Sequence, residues 1–176
     1  VTGVQTCALP IYPFRWLGFV ALADPLRASA SAAVAECRRA GIRVVMITGD
    51  HPATALAIAR QAGIDTEGGA LTGGDIAAMD NAKLAAAVRR VNLFARIAPE
   101  QKLRLVMAYK TDGEVVAMTG DGVNDAPALR RADIGIAMGR RGTDVARATA
   151  DLVLLDDNFA SIVHTVRQGR HIFQNI

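Results

Sequence analysis

The sequence predicts an α/β protein with a doubly wound parallel sheet. Apolar runs of strand length alternate with helical stretches along most of the chain, which is the pattern of this fold class. Hydrophobic residues make up 51% of the 176 residues, and the mean hydropathy is +0.23. Both values fit a buried parallel sheet, and the length suits one domain with a sizeable core.

The predicted elements alternate in a regular order after the first eleven residues. The segment from Asp65 to Asp80 interrupts this order, because it is rich in Gly, Thr and Asp; a surface loop around a short turn of helix is expected there. The strands are expected at residues 17–23, 42–47, 92–95, 114–118, 133–137 and 151–155, and the helices at residues 28–40, 52–63, 80–90, 99–111, 125–131, 142–149 and 158–175.

Two of these strands are followed by polar turns and then by helices that begin near a proline. Ile42 to Ile47 is a run of β-branched and long apolar residues, with Pro52 marking the next helix. Val115 to Met118 is a second buried strand, and Pro127 marks the helix after it. Both turns therefore lie at the carboxyl end of a strand, where open α/β sheets bind their ligands.

Two helices have predicted apolar faces. The helix from about Pro99 to Lys110 places Lys102 beside its apolar face, where a lysine is usually a solvated surface charge. That face comprises Leu103, Val106 and Met107. The final helix has an apolar face of Ile162, Val163, Val166, Ile172 and Phe173.

The run Met118-Thr-Gly-Asp-Gly-Val-Asn-Asp-Ala-Pro-Ala-Leu129 predicts a magnesium and phosphate site. It places two carboxylates, Asp121 and Asp125, and the amide of Asn124 on a loop hinged by glycines. Mg²⁺ prefers one or two carboxylates together with water and phosphate oxygens, so Asp121 suits a metal ligand and Asp125 a supporting acceptor. The alternative, an Asp-Gly turn with a capping Asn-Asp pair, accounts for less of the run.

The turn Thr48-Gly49-Asp50 predicts a second phosphate contact. Its backbone N–H groups and the dipole of the following helix favour a phosphoryl group. The alternative is simple N-capping of that helix by Asp50. Two strand-end turns of similar build favour phosphate binding.

These runs resemble the signatures of P-type cation-transporting ATPases, which are membrane pumps with a haloacid-dehalogenase-like phosphorylation domain. Three further segments carry the resemblance, which extends from about Trp16 to the last residue. The wording Thr-Gly-Asp-His-Pro-Ala-Thr-Ala favours the type II group of calcium and sodium pumps. The segments are Phe94 to Lys102, Ala132 to Gly139, and Asp24-Pro25-Leu26-Arg27, in which Leu26 replaces a proline of the family pattern.

The resemblance implies ATP and Mg²⁺ as cofactors and assigns roles to individual residues. In the family, the lysine at the position of Lys102 contacts the phosphorylated aspartate, where its ammonium offsets negative charge. The implied roles are phosphate and nucleotide binding by Thr48, Gly49 and Asp50, ATP contacts by Arg96 and Asn124, magnesium binding by Asp121, and support of that site by Asp125.

The family nucleophile is absent from the sequence. It is an aspartate in an Asp-Lys-Thr-Gly-Thr segment, and none of the 176 residues forms such a segment. In the family this strand lies between the strands that end at Thr48 and Asp121. The sheet is therefore expected to be incomplete, with two unpaired inner edges, weak magnesium binding and no activity of the fragment alone.

The resemblance divides the chain into segments. Residues 1–11 resemble a translated sequencing adapter, with a natural disordered terminus as the alternative, and residues 12–15 could belong to either side. Residues 16–157 would be a partial phosphorylation domain. Residues 158–176 would be a stalk helix leading toward a missing membrane helix. The nucleotide-binding, actuator and membrane domains of such a pump have no counterpart in this sequence.

Composition excludes other classes of function. The net charge of +3 arises from scattered basic pairs and only 5% of residues are aromatic, so nucleic-acid binding is not indicated. No apolar run approaches the roughly 20 residues that span a bilayer. Cys7 and Cys37 lack metal-ligand spacing, and Cys37 suits helix packing. His51, His164 and His171 form no cluster.

Three functions are therefore considered. The favoured one is a fragment of an ATP-driven cation pump, located on the cytoplasmic side of a membrane, most simply the plasma membrane of a bacterium. The second is a catalytically dead module that binds nucleotide or a partner. The third is a stand-alone haloacid-dehalogenase phosphatase, which would need an N-terminal Asp-x-Asp motif that this sequence lacks.

Overall fold

The structure is a computed structural model that describes residues 15–18, 20 and 25–175. The adapter-like segment, Cys7, Asp24 and most of the strand expected at residues 17–23 lie outside the described residues. The described elements are α1 (Ala30–Arg39), β1 (Met46–Ile47), α2 (Pro52–Ala62), β2 (Leu71–Thr72), α3 (Gly73–Ala78), α4 (Asn81–Val88), β3 (Leu93–Ala95), α5 (Pro99–Thr111), β4 (Ala117–Gly120), a 3₁₀ turn (Val123–Asp125), α6 (Ala126–Arg131), β5 (Ile134–Met138), α7 (Asp144–Thr149), β6 (Leu152–Leu154) and α8 (Phe159–Gln174).

The strands form two parallel sheets of three strands each. Their orders are β1-β3-β2 and β4-β5-β6, and every pairing is parallel. Within the described residues, no strand pairs with the free side of β1 or of β4. The predicted α/β class is confirmed, and the two unpaired edges belong to the strands that precede Thr48 and Asp121, as the sequence analysis expects.

Helix α5 joins the two sheets into one body. Leu105 and Tyr109 pack in the core cluster of the first sheet, together with Phe94 of β3. Val106 packs in the core cluster of the second sheet, together with Met118 of β4. A helix buried on two sides needs a wide apolar surface, and its buried residues accordingly follow an i, i+1, i+3, i+4 spacing from Leu105 onward.

The predicted apolar face of α5 is wrong in part. Val106 is buried as expected, but Met107 is 42% exposed and Leu103 is only half-buried. Leu105 and Tyr109 carry the burial instead. The helix faces two sheets at once, and this arrangement depends on contacts distant in sequence.

The prediction of a surface loop around a short turn of helix from Asp65 to Asp80 is correct in part. The short helix is present as α3, but the segment also contains the strand β2, and Ile76 of α3 is completely buried. The Thr72 amide donates to the Asp75 carboxylate at 2.7 Å, and the Asp75 amide donates to the Thr72 hydroxyl at 3.3 Å. This reciprocal capping box starts α3, and the Thr72 hydroxyl holds the pKa of Asp75 below its ordinary value.

Helices α1 and α8 lie side by side in the same direction. Their apolar contact is a cluster that includes Cys37 and Val163, so the predicted packing role of Cys37 is confirmed. Arg170 donates to the Ala40 carbonyl at 2.7 Å, at the end of α1. The predicted apolar face of α8 is correct near Val163 but wrong at Ile172 and Phe173, which are exposed because α8 extends beyond α1.

No helix within the described residues 25–175 combines the length and the apolar character that crossing a bilayer requires.

The two free edges predict self-association of the isolated chain. Ala117 is an exposed residue of edge strand β4, and a lysine there blocks strand addition by burying or crowding a charge. Ala117→Lys is therefore expected to reduce concentration-dependent association in sedimentation velocity, whereas Ala148→Lys on exposed α7 is the matched control. Two unpaired inner edges also predict that the isolated chain is marginally stable or that its sheet closes by an altered strand order. A wild-type chain that is monomeric throughout and unfolds in one sharp thermal transition would contradict these expectations.

Candidate functional site

The candidate site lies at the carboxyl ends of β1, β3 and β4. The Thr48 amide bonds to the Phe94 carbonyl at 2.9 Å, which keeps β1 beside β3 up to this edge. The Arg96 amide then bonds to the Asp50 carbonyl at 3.0 Å, and the Ile97 amide to the Thr48 carbonyl at 3.1 Å. The turn after β1 and the turn after β3 are thus one hydrogen-bonded unit.

The Thr48-Gly49-Asp50 turn is held by its own side chains. The Thr48 hydroxyl donates to the Asp50 carboxylate at 3.0 Å and accepts from the Asp50 amide at 3.1 Å. Helix α2 is capped by His51, whose Nδ1 accepts from the Ala53 amide at 3.3 Å. The alternative role of Asp50 as the N-cap is therefore not observed, and Gly49 and Asp50 stay exposed at the edge.

Arg96 has an unusual backbone conformation beside this turn. Its φ is +51°, in the left-handed region that non-glycine residues seldom occupy and that typically costs about 1–3 kcal/mol. The bond to Asp50 stabilises it, and Gly73 allows close approach, since a Cβ on Gly73 would lie 2.5 Å from the Arg96 carbonyl oxygen. The Arg96 side chain is exposed, so it is available to a ligand at this edge.

The loop after β4 buries Asp125 and exposes Asp121. The Asp125 carboxylate accepts from the Gly122 amide at 3.3 Å and is 5% exposed as a residue. Gly120 makes this possible, because a Cβ there would lie 2.6 Å from the Asp125 Cβ. The loop glycine thus serves the packing of a carboxylate against the strand end.

Lys102 forms an ion pair with Asp125. Its Nζ lies 2.6 Å from Asp125 Oδ1, and the two side chains are 21% and 8% exposed. The interpretation of Lys102 as a solvated surface charge is therefore wrong. Lys102 lies in the first turn and a half of α5, which follows directly from the Arg96 turn, so this pair connects the end of β3 to the end of β4.

Asp121 and Asn124 are exposed beside this pair. In the part of the chain that the structure describes, nothing donates to the Asp121 carboxylate, whereas its carbonyl accepts from the Thr143 amide at 2.8 Å. The described residues contain no group of three or more His, Cys, Asp or Glu side chains that could hold a metal ion. One free carboxylate with a second one behind it fits Mg²⁺ that keeps most of its ligands as water and phosphate oxygens.

The loop that supports Asp121 was not foreseen from the sequence. It comprises residues 139–143, which join β5 to α7, and Arg147 donates to the carbonyls of Gly139 and Gly142. Further support comes from the carbonyls of Leu154 and Leu155 and from the buried Asp157, which is 16 and 17 positions away from the loop amides it binds. Local sequence patterns carry no signal for a carboxylate that binds distant backbone amides.

Comparison with known proteins places the site in a family. The chain matches the model of the haloacid dehalogenase-like hydrolases over residues 3–133, and a second model of the same description over residues 101–166. The first match begins inside the adapter-like segment, whose origin stays a prediction. The chain belongs to the haloacid dehalogenase-like hydrolase family.

Within this family its relatives are cation-transporting P-type ATPases, which confirms the predicted resemblance. Probable cation-transporting ATPase F of Mycobacterium bovis is 56% identical over 90% of this chain and 18% of the relative. Calcium-transporting ATPase 1 of Bacillus cereus is 48% identical over 92% of this chain and 18% of the relative. The chain thus spans about a fifth of the length of the relatives it matches.

A solved structure agrees with the sequence relatives. The crystal structure of a zinc-transporting PIB-type ATPase in the E2.Pi state superposes with a TM-score of 0.65 at 35% identity, covering 86% of this chain and 20% of that one. The described fold is therefore that of the phosphorylation domain of such ATPases.

The Lys102–Asp125 pair predicts a large coupling free energy. Removing Lys102 leaves a buried carboxylate without its cation, so Lys102→Met and Asp125→Asn should interact by roughly 1–3 kcal/mol in a double-mutant cycle. Chemical denaturation of the two single variants and the double variant measures it. Lys83→Met is the control, because the Lys83–Asp80 pair is 72% and 61% exposed and should contribute less than about 1 kcal/mol. Additive effects at Lys102 and Asp125 would contradict the pairing.

Proposed function

We propose that this chain is the magnesium-, phosphate- and ATP-contacting part of the phosphorylation domain of an ATP-driven cation pump. The observation that carries the proposal is the Lys102–Asp125 contact, because it joins the turn after β3 to the loop that presents Asp121. The Thr48 turn, the Asp121 loop and the Lys102 ammonium thereby lie at the carboxyl ends of strands from the two sheets. The similarity to cation-transporting ATPases supports the same assignment.

In this proposal Lys102 offsets the negative charge of the phosphoryl group. An ammonium has three donors, and Asp125 takes one of them, so two remain for phosphate oxygens. The Asp125 carboxylate holds the ammonium in place, which lowers the reorganisation needed when charge develops. The exposed Gly49 amide adds a donor from the other strand end. The Thr48 hydroxyl would become a further donor by exchanging its bond to the Asp50 carboxylate for one to a phosphate oxygen.

The remaining residues bind the metal and the nucleotide. Asp121 would hold Mg²⁺, which when bound neutralises charge on phosphate oxygens, with Asp125 behind it. Arg96 and Asn124 are exposed on neighbouring turns and would contact ATP, together with Asp50. These roles come from the family resemblance, and the exposure of the three side chains is consistent with them.

Covalent phosphoryl transfer needs a carboxylate that this sequence does not contain in the family pattern. We therefore propose that the isolated chain is inactive and works with further segments of a longer protein, namely a nucleophile strand and nucleotide-binding, actuator and membrane domains. The printed names of the relatives differ in the ion, from calcium to sodium and potassium, so the proposal extends to a cation only. The proposed location is the cytoplasmic side of a bacterial plasma membrane.

A catalytically dead nucleotide- or partner-binding module is the second candidate. One observation favours it, namely the lack of an Asp-Lys-Thr-Gly-Thr segment in the sequence. Such a module would bind ATP by itself and would not need Lys102 to approach a phosphorylated aspartate.

A chimera distinguishes the two candidates. Residues 16–176 replace the matching segment of probable cation-transporting ATPase F from Mycobacterium bovis, and phosphoenzyme formation from labelled ATP is measured in membranes. The pump proposal predicts a phosphoenzyme in the chimera and a loss of about 100-fold or more in its rate of formation with Lys102→Met. Lys83→Met, on exposed α4, should leave the rate unchanged.

A chimera that reaches the membrane at the level of the host protein but forms no phosphoenzyme would contradict the pump proposal. Micromolar ATP binding by the isolated chain, together with that failure, would favour the regulatory module.

A further inference from the structure

Asp157 is a buried acid outside the site described above. It lies between β6 and α8, is 7% exposed and has a φ of +53°. Its two carboxylate oxygens accept from the amides of Arg140 and Arg141, each at 2.9 Å. A non-glycine residue in this conformation is strained, and these contacts over-determine its position.

The carboxylate of Asp157 binds the first half of the 139–143 loop. The Arg140 amide chiefly, with the amides of Arg141 and Gly139, holds the pKa of Asp157 below its ordinary value despite burial. The loop has little freedom elsewhere, because a Cβ on Gly142 would lie 1.9 Å from the Met138 carbonyl oxygen. The carboxylate therefore acts on a tightly folded loop.

The other half of this loop holds the candidate magnesium ligand. The Thr143 amide donates to the Asp121 carbonyl at 2.8 Å. The Thr143 hydroxyl accepts from the Ala146 amide at 3.3 Å and caps α7, which orients the residue. Asp121 thus receives backbone support from a loop whose opposite end is bound by Asp157.

Asp157 also contacts the segment that precedes α1, and its neighbour Asn158 connects the starts of α1 and α8. Its carbonyl accepts from Arg27 Nη1 at 2.6 Å. The next residue, Asn158, caps α8 by accepting from the Ala160 amide at 3.1 Å and accepts from the Ser29 hydroxyl at 3.1 Å. The start of α1 and the start of α8 therefore meet at the residue that binds the loop.

We propose that Asp157 is a positioning residue for the magnesium site, acting through the 139–143 loop and the Thr143 amide on Asp121. The inference rests on the proposed function for the identity of the metal ion. Asp157 lies outside the run from Met118 to Leu129, yet in this proposal it determines the direction in which the Asp121 side chain points. A shift of the junction between α1 and α8 would therefore also displace the 139–143 loop.

Asp157→Asn isolates the effect of the carboxylate. Asparagine tolerates a positive φ, so the backbone conformation is retained, but its amide offers only one acceptor oxygen for the two loop amides. Asp156→Asn is the matched control, because Asp156 is exposed and accepts hydrogen bonds from Ser161 and Asn158 on the α8 side. It interacts with the loop through the charge of Arg140 and not through the loop amides that Asp157 binds. Asp121→Asn removes the metal ligand itself.

Two readouts on the intact chain test the inference. The first is amide hydrogen exchange at Thr143, measured relative to the Phe94 amide in the other sheet, which reports the stability of the loop without any metal. Asp157→Asn should accelerate this exchange about tenfold, and Asp156→Asn should not.

The second is Mn²⁺ binding, followed by the electron paramagnetic resonance of free Mn²⁺, which reports the affinity of the metal site. Asp157→Asn should weaken this affinity about 10-fold to 100-fold, as for other residues that support metal ligands.

The outcomes distinguish the positioning role of Asp157 from the metal-binding role of Asp121. Unchanged Thr143 exchange in Asp157→Asn would overturn the positioning role, whatever the metal does. Accelerated exchange with unchanged Mn²⁺ affinity would also overturn it. Mn²⁺ binding that is insensitive to Asp121→Asn would contradict the proposed metal function instead. If Asp157→Asn fails to fold, the chimera carrying Asp157→Glu is assayed, and an unchanged Mg²⁺ dependence of its phosphoenzyme would overturn the inference.

Discussion

A buried carboxylate needs a cation beside it, and here that cation comes from a helix attached to the other sheet. Asp125 follows β4 in the second sheet, whereas Lys102 follows β3 of the first, and their contact of 2.6 Å crosses between the two. Around this contact α5 packs into both hydrophobic clusters. The site therefore depends on the same interaction that joins the two halves of the molecule.

The Lys102–Asp125 ion pair matters because no described strand connects β1 of the first sheet to β4 of the second. Neither edge is covered by a described strand, so side-chain packing through α5 and the ion pair replaces the backbone ladder that would otherwise connect the sheets. The turns that follow these two strands are the ones that carry Thr48 and Asp121. In the proposed function, a nucleophile strand paired with both edges would end beside both turns.

The sequence was sufficient for features encoded locally. The strands before Thr48 and Asp121 and the helices after them follow from apolar runs, glycine turns and prolines, and the structure has them with other bounds. Strand β1 begins at Met46 and β4 at Ala117, and Val115, which was expected to lie in a buried strand, is 80% exposed. It was insufficient where tertiary contacts decide. The burial of α3 depends on packing between β2 and α5, which overrides a polar composition. The support of Asp121 by Asp157 depends on a carboxylate binding amides across the fold, and no periodicity reveals such a bond.

The most direct measurement is nuclear magnetic resonance of the Lys102 ammonium in the intact chain, using a ¹⁵N–¹³C experiment that detects hydrogen bonds to carboxylates. The buried Lys102–Asp125 ion pair predicts a correlation between Lys102 Nζ and Asp125 Cγ and slow exchange of the ammonium protons, unlike those of the exposed Lys83. A Lys102 ammonium that exchanges as fast as that of Lys83, with no correlation to Asp125, would show that the pair does not form.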